Sequence, residues 1–333
     1  DVITAPGLWH LDNFGNKLIA TIVDGATFEW DSDATGATST RATIVANAPT
    51  AARQTLVSTP DRHLLFFGTE TTIGTTSTQD NMYIRWSDQE SINASTSYAP
   101  SATNTAGTQR LADGTRIIAA IRGRDAIYVW TDHALFIMRF VGAPFVFSFQ
   151  QVGTGCGLIG KNAAVEVDGS AYWMSENGFF RYTGKLESLP CLVEDYVFDD
   201  INTVPRNHIF AGLNNLFGEV TWFYPGSGAA SNNRSVTYNY MDSTSERPVW
   251  TTSTLARSAW SDSHVFGKPH GTEYDADATS DSTVGNTDGV SIYYEHETGV
   301  NQIKAGAGSA IAASIESGDF DISATQGGGA DLR

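Results

Sequence analysis

A glycine-rich segment near the middle of the chain has the spacing of a loop that binds nucleotide phosphates. In GTGCGLIGKN (153–162), four residues separate Gly155 from Gly160, and Lys161 follows directly. Backbone N–H groups and the lysine would hold the phosphates, but Asn162 stands where Ser or Thr must ligate Mg²⁺. The motif also requires a helix next, whereas NAAVEV is strand-like. We therefore interpret the segment as a glycine-rich connection, with Lys161 as a loop residue.

An acidic segment, 272–289, offers a second set of potential ligands. Asp275 and Asp277 alternate and could bind Ca²⁺ through oxygen. The Gly and Glu that an EF-hand loop needs at its sixth and twelfth positions are missing, so a solvated loop is favoured over a calcium site. The histidines are scattered and form no His-Glu-x-x-His pattern, which argues against zinc. We expect no metal and no cofactor.

The elements that must position such residues repeat along the chain. Tryptophan recurs at the end of strand-like segments, often after a short polar turn, as in KLIATIVDGATFEW and RIIAAIRGRDAIYVW. The recurring residues are Trp30, Trp86, Trp130, Trp173 and Trp222. Steps of 43–56 residues between short strands are typical of propeller blades. The repeat predicts an all-β fold, a β-propeller of about six or seven antiparallel blades with few helices.

This architecture places the remaining segments. We expect a single propeller-like body over 1–333, with the five tryptophans at equivalent strand positions between adjacent blades and the glycine-rich connection crossing between blades. Long loops are predicted at 31–54, 87–114 and 268–289, and the best helix candidate is 192–202. The chain begins without Met and ends in a loop-like sequence, so we expect it to be processed or part of a longer chain.

The aspartates do not form a pattern that predicts catalysis. Asp24 and Asp168 occupy equivalent Val-Asp-Gly turns, where turn chemistry explains the residue type and implies no paired carboxylate. Propeller glycosidases use inward carboxylates, and sialidases add a Ser-x-Asp-x-Gly-x-Thr-Trp turn, which is absent here. The prediction is no enzyme and no catalytic residue. A propeller glycoside hydrolase or glycan-binding module is the alternative.

The charge balance argues against a phosphate-binding surface. The chain has 20 Lys and Arg against 37 Asp and Glu, a net charge of −17, whereas DNA affinity depends on clustered cations. Two explanations of the acidity are equally good: solubility alone, or a surface that lets nucleic acid pass without binding it.

Cys156 and Cys191 do not make a disulfide framework, so a reducing compartment is expected. No apolar run approaches the roughly 20 residues that span a bilayer.

Several strings together resemble the tail tubular, or nozzle, proteins of short-tailed bacteriophages. The resemblance covers roughly residues 55–322. The strings are LLFFGTE (64–70), YIRWSDQESINA (83–94), the aromatic run that leads into Gly-x-Gly-Cys-Gly (129–160), YWMSENGFFRYTG (172–184) and IESGDFDI (315–322). The resemblance implies a viral structural protein, a propeller subunit of which several copies, typically six, form a ring below the portal and adaptor.

Further expectations follow from this resemblance. The ring would be a homo-oligomer, with a hexamer favoured, and would contact the adaptor and a tail fibre or spike. DNA would leave through an acidic or neutral lumen without specific binding, and the protein would reside in the virion tail after assembly in the bacterial host cytoplasm. A monomeric propeller that only docks a partner is a third possibility.

Overall fold

The computed structural model describes residues 8–34, 36, 40–263, 266–275, 290–299, 301–304, 307–311 and 313–314. The strands of its first three blades are β1 (Trp9–Phe14), β2 (Lys17–Ile22), β3 (Thr27–Asp31), β4 (Thr43–Ile44), β5 (Gln54–Ser58), β6 (His63–Phe67), β7 (Tyr83–Trp86), β8 (Gly107–Arg110), β9 (Ile117–Arg122), β10 (Ile127–Thr131), β11 (Ala134–Gly142) and β12 (Val146–Thr154). The later strands are β13 (Ala164–Val167), β14 (Ser170–Ser175), β15 (Gly178–Tyr182), β16 (Leu186–Leu189), β17 (Phe210–Asn214), β18 (Glu219–Tyr224), β19 (Arg234–Asn239), β20 (Trp250–Ser253), β21 (Ala259–Ser261), β22 (His270–Asp275), β23 (Val290–Glu295), β24 (Asn301–Lys304) and β25 (Ala307–Ala310).

Six sheets of consecutive antiparallel strands form the blades. Blades 1 to 5 contain β1–β4, β5–β8, β9–β12, β13–β16 and β17–β20, and blade 6 contains β21–β23. A separate hairpin pairs β24 with β25. The first strand of each blade contacts the first strand of the next, from β1 to β21, so these strands surround the central axis. The prediction of an all-β propeller is confirmed, and the described residues form six blades.

The single α-helix among the described residues, α1 (Glu194–Asp200), lies within the predicted segment 192–202 and confirms it. It connects blade 4 to blade 5 and buries Val197. In the part of the chain that the structure describes, no helix is long and apolar enough to cross a membrane.

The tryptophan positions correct the predicted repeat. Trp130, Trp173 and Trp222 lie on second strands, β10, β14 and β18, whereas Trp30 and Trp86 lie on third strands, β3 and β7. The prediction of equivalent positions is therefore wrong for Trp30 and Trp86. For Trp30 the reason is that the preceding polar turn joins the second strand to the third in blade 1, whereas those in blades 3 and 4 join the first strand to the second. Trp86 has no such turn before it, since the longer segment 68–82 leads into β7. Turn chemistry specifies a chain reversal, not which hairpin of a blade contains it.

The buried tryptophans nevertheless pack between blades. The rings of Trp130 and Trp173, from blades 3 and 4, lie 5.4 Å apart and are fully buried. The indole of Trp222 donates a 3.0 Å hydrogen bond to the backbone just before blade 4, and Trp86 contacts a phenylalanine ring of blade 3 at 5.3 Å. Trp30 is partly exposed, and its indole donates to the loop that follows β3. Interdigitated aromatic rings thus hold blades 2 to 5 together.

All three predicted long loops contain strands. The segment 31–54 includes β4, the outer strand of blade 1, 87–114 includes β8, the outer strand of blade 2, and 268–289 includes β22, the middle strand of blade 6. The sequence of β8, Gly-Thr-Gln-Arg, shows no apolar alternation because an outer strand lies away from the core, and all four residues are half-buried or exposed. Residues 276–289, which include Asp277, and the string 315–322 lie outside the described residues.

Strand direction gives the propeller two faces. All first strands begin on one face, which we call the start face, and end on the other, the end face. The residues just before β5, β9, β13 and β17 therefore meet on the start face. The turn between β11 and β12 and the excursion 87–106 after β7 lie on the end face, because third strands run in the same direction as first strands.

Candidate functional site: a basic cavity on the propeller axis

Four basic residues stand at corresponding places in four successive blades. Arg53 precedes β5, Arg116 precedes β9, Lys161 precedes β13 and Arg206 precedes β17. Because the first strands surround the axis, these side chains converge on the start face. Together with His10 of β1 they line one cavity of about 150 Å³. The rest of the described lining is uncharged, so no carboxylate lies among the described residues of the cavity wall.

Two of the four arginine and lysine side chains lie at the rim and have acidic partners. Nη1 of Arg53 is 3.5 Å from both carboxylate oxygens of Asp24, and its Nε donates to the carbonyl of Ile117 at 3.2 Å. Nη1 of Arg206 lies 3.0 Å from Oε1 of Glu176, with both side chains partly exposed. Long or solvent-screened ion pairs of this kind neutralise a cation incompletely.

Arg116 lies deeper in the cavity wall. Its Nε is shielded from solvent and has no hydrogen-bond acceptor among the described residues. The carboxylate of Asp132 is close enough to interact electrostatically with Arg116, but it already accepts hydrogen bonds from the backbone and hydroxyl of Thr115. Burial alone would raise the pKa of Asp132, but these hydrogen bonds and the Arg116 charge outweigh it and lower that pKa. A buried N–H without an acceptor costs about 1–3 kcal/mol.

Lys161 and His10 show the electrostatic consequence of this arrangement. Nζ of Lys161 donates to the carbonyl of Trp9 at 3.3 Å, and burial lowers the pKa of Lys161 to about 8. Burial and then the charges of Lys161 and Arg53 lower the pKa of His10 to about 3, so His10 is neutral at neutral pH. Burial disfavours the charged form of both groups, and neighbouring cations add to this effect at His10 alone.

Glycines allow the inter-blade connections to reach the axis. A Cβ atom at Gly160 would lie 2.3 Å from the carbonyl oxygen of Arg206, and one at Gly157 would lie 2.2 Å from that of Asp132. Only glycine permits such close backbone approach. The glycine-rich segment is thus the crossover between blades 3 and 4, and β13 rather than a helix follows it, as we interpreted it from sequence. Lys161 is a loop residue, as predicted, but it faces the cavity.

Blade 6 has an arginine at the corresponding position in a different environment. Arg257 precedes β21 and is only 4% exposed. Its Nη1 lies 3.3 Å from Glu273, its Nε donates to Nε2 of His296 at 3.0 Å, and its guanidinium stacks 4.1 Å above the ring of Tyr294. Arg257 is turned into its own sheet and does not line the cavity.

A second polar arrangement, in blade 2, has the geometry of a proton relay. Nδ1 of His63 lies 2.5 Å from Asp61, and Nε2 lies 3.0 Å from the hydroxyl of Thr105. That hydroxyl donates to Asp88 at 2.7 Å. His63 is completely buried, so no substrate reaches it, and the network ties the β5–β6 turn to the excursion after β7. This network is structural, and it was missed because its residues are scattered in sequence.

The other sequence-predicted sites do not come together. Asp275 ends β22, and Asp277 lies outside the described residues. Within the described ranges, no group of three or more His, Cys, Asp or Glu residues is placed to hold a metal ion. The two cysteines, Cys156 and Cys191, are free thiols, and burial raises the pKa of each.

The basic cavity was not predicted because the net charge of the whole chain gives no information about a local group of cations. Arg116, Lys161 and Arg206 are evenly spaced along the chain by about one blade repeat. A comparison of corresponding positions between blades would have detected this spacing, whereas a total charge of −17 suggested that cations were unimportant.

No protein-family model matches the chain, and no curated protein sequence matches it. Solved structures to which it is similar include the dihydro-heme d1 dehydrogenase NirN in complex with DHE, at 11% identity and a TM-score of 0.46 over 80% of this chain and 50% of that one. They also include the AfRom2 CNH domain, at 12% identity and a TM-score of 0.43 over 79% of this chain and 76% of that one. BamB from Moraxella catarrhalis is similar at 12% identity and a TM-score of 0.40 over 87% of this chain and 83% of that one. The chain spans half the length of NirN, and similarities this weak carry no statement about function.

Proposed function

We propose that the protein is a structural subunit of the tail of a short-tailed bacteriophage, where several copies form the nozzle ring below the portal and adaptor. The strings that resemble nozzle proteins and fall on described residues lie in blades 2 to 4. They include the ends of β7 and β11, from which the chain leaves the propeller body. These protruding parts are where a ring subunit would meet its neighbours.

The observation that carries the proposal is the long hairpin of β11 and β12. Each strand has nine residues, more than any other described strand. Near its tip the hairpin exposes Phe140, Val141 and Phe145, and Phe145 is 77% exposed. An apolar tip on a strongly acidic protein favours burial against another protein chain.

A second apolar surface surrounds α1. Leu192, Tyr196 and Val204 are all largely exposed, Val204 at 90%. The connection that contains α1 follows β16 and lies on the start face, whereas the hairpin tip lies on the end face. Because the two surfaces differ, contact between them joins unlike patches, and such heterologous contacts close into rings when the rotation allows. The resemblance favours six copies.

The excursion 87–106 also exceeds what a blade needs. It buries Ile92 and Tyr98, and the amide of Asn93 donates to Glu29 of blade 1 at 2.9 Å. The side-chain oxygen of Asn93 accepts a hydrogen bond from Ala46 at 3.0 Å. Long ordered loops of this kind are usually functional, and we infer that this one contacts a neighbouring subunit, the adaptor, or a tail fibre or spike.

The DNA conduit would lie between subunits, in the virion tail, and not along the axis of one propeller. A cavity of about 150 Å³ is far too small for a duplex. The glycosidase alternative receives no support from the cavities. Glycosidases need two carboxylates roughly 5–10 Å apart, whereas the described lining of the axial cavity has none and that of a second cavity, of about 240 Å³, has only Asp125.

The proposal is tested by the mass of the protein in solution and in virions. We expect wild-type protein to form a closed multiple of its 35.8 kDa chain. Phe145→Asp should release single chains with an unchanged melting temperature, because an exposed tip contributes little to the fold. The matched control is Phe266→Asp, at an exposed residue of blade 6, which should leave the assembly intact. A wild-type chain that stays monomeric at all concentrations and is absent from tails would contradict the proposal.

A further inference from the structure

We propose that the basic cavity on the start face binds a small oxyanion that carries at least two negative charges, either a phosphate or a small dicarboxylate. The site goes beyond the nozzle assignment and does not depend on it. Its basis is the convergence of four cationic side chains, each from a different blade, on one cavity whose described lining lacks a carboxylate. The net charge of the chain is −17, so this local group of cations is opposite in sign to the charge of the whole chain.

The charges present set the charge of the ligand. Arg53 and Arg206 have carboxylate partners at the rim, Asp24 and Glu176. Arg116 and Lys161 form no ion pair with any carboxylate that the structure describes. Asp132 offsets part of the Arg116 charge from nearby, and the ion pairs of Arg53 and Arg206 offset their charges only in part. The cavity therefore keeps an excess of positive charge, which a divalent anion would balance.

Volume and donor geometry set the size of the ligand. A cavity of about 150 Å³ accommodates a group of a few heavy atoms with its nearest waters. The Nε of Arg116 lacks an acceptor within the described structure, and Nζ of Lys161 has donors to spare after its bond to the Trp9 carbonyl. Because the donors precede strands that are packed around the axis, they are held in place before a ligand arrives.

Burial lowers the pKa of Lys161, and burial followed by the charges of Lys161 and Arg53 lowers the pKa of His10. The charged or titratable groups that face Lys161 across the cavity are His10, Arg53, Arg116 and Arg206. A bound dianion would raise the pKa of Lys161 again. Binding should therefore take up a proton above pH 8 and should be weaker at pH 9.5 than at pH 7.

The experiment is calorimetric titration of the intact protein at pH 7 with sodium phosphate and, separately, with sodium succinate, at constant ionic strength in chloride. The cavity variants are Arg116→Gln and Lys161→Gln. Their matched controls are Arg124→Gln and Lys185→Gln, at exposed residues outside the cavity. Circular dichroism establishes that each variant is folded.

We expect saturable 1:1 binding of at least one of the two anions, with the affinity lowered tenfold or more in each cavity variant and unchanged in each control. The anion that binds identifies the ligand as a phosphate or a dicarboxylate. If neither anion binds better than chloride, or if all four variants bind as the wild type does, the proposal is wrong. Phosphate also stabilises proteins by exclusion from their surfaces, and such an effect would be equal in cavity and control variants.

Discussion

Arg257 and Arg116 occupy corresponding places in the propeller repeat, each just before the first strand of its blade. They differ in how completely their charged groups are paired. Arg257 is buried against Glu273, His296 and the ring of Tyr294. Its Nε, its Nη1 and the flat face of its guanidinium each have a partner. Arg116 has a buried Nε with no acceptor among the described residues.

The difference lies in what the neighbouring strands supply. In blade 6, β22 and the end of β23 place an acidic, an imidazole and an aromatic group around Arg257. In blade 3, the nearby carboxylate of Asp132 is already committed to Thr115. An arginine at this repeat position is therefore structural where its own blade supplies partners for the guanidinium. It is available to a ligand where the blade leaves an N–H group without an acceptor.

Removal of the structural arginine should have the largest effect. Arg257→Met removes the guanidinium that pairs with the nearly buried carboxylate of Glu273, and loss of one partner of a buried ion pair typically costs about 3–5 kcal/mol. Denaturant unfolding measures the change. The control Arg181→Met breaks a half-exposed pair with Glu187 and should cost about 1 kcal/mol or less. Equal losses in both variants would contradict the structural role of Arg257.

Removal of a cavity cation should have a smaller effect of opposite sign. Lys161→Met should raise the free energy of unfolding by about 1–2 kcal/mol at pH 7 without an anion, because it removes a charge that the cavity disfavours. Lys185→Met, at an exposed lysine, should stay within about 0.5 kcal/mol of the wild type. A loss of stability in Lys161→Met would show that Lys161 supports the fold.

The pH dependence of Lys161 gives an independent check. Folded Lys161 releases its proton near pH 8, whereas an unfolded lysine holds it to 10.5. Between these values the unfolded state binds more protons, so stability should rise with pH. This rise should disappear in Lys161→Met and persist in Lys185→Met.

At neutral pH the smallest effect on stability should come from the two histidines that lie beside the compared cations, and this effect should grow as the pH falls. Burial comes first and neighbouring cations second in lowering the pKa of His10 to about 3 and that of His296 to about 4. The unfolded histidines protonate near 6.5 and the folded ones do not, so stability should fall as the pH drops from 6.5 to 4. His10→Gln and His296→Gln should each flatten this fall, measured as the free energy of unfolding against pH. An unchanged slope in both would contradict neutral histidines.

The sequence predicted the fold better than the site, for physical reasons. Trp130, Trp173 and Trp222 indicated the blade repeat because each is a large ring buried between neighbouring sheets. The outer strand β8 was not predicted because a half-exposed strand needs no alternation of apolar residues. The basic cavity depends on residues far apart in sequence, and whether Arg116 or Arg257 has partners depends on strands that only the folded chain brings together.

The most direct test of the central claim is a crystal structure of the protein soaked in selenate, a divalent oxyanion located by its anomalous scattering. We predict a selenate within hydrogen-bond distance of Nε of Arg116 and Nζ of Lys161, and none at Arg257. Selenate found only at exposed side chains such as Lys185, with the axial cavity empty or closed, would contradict the account.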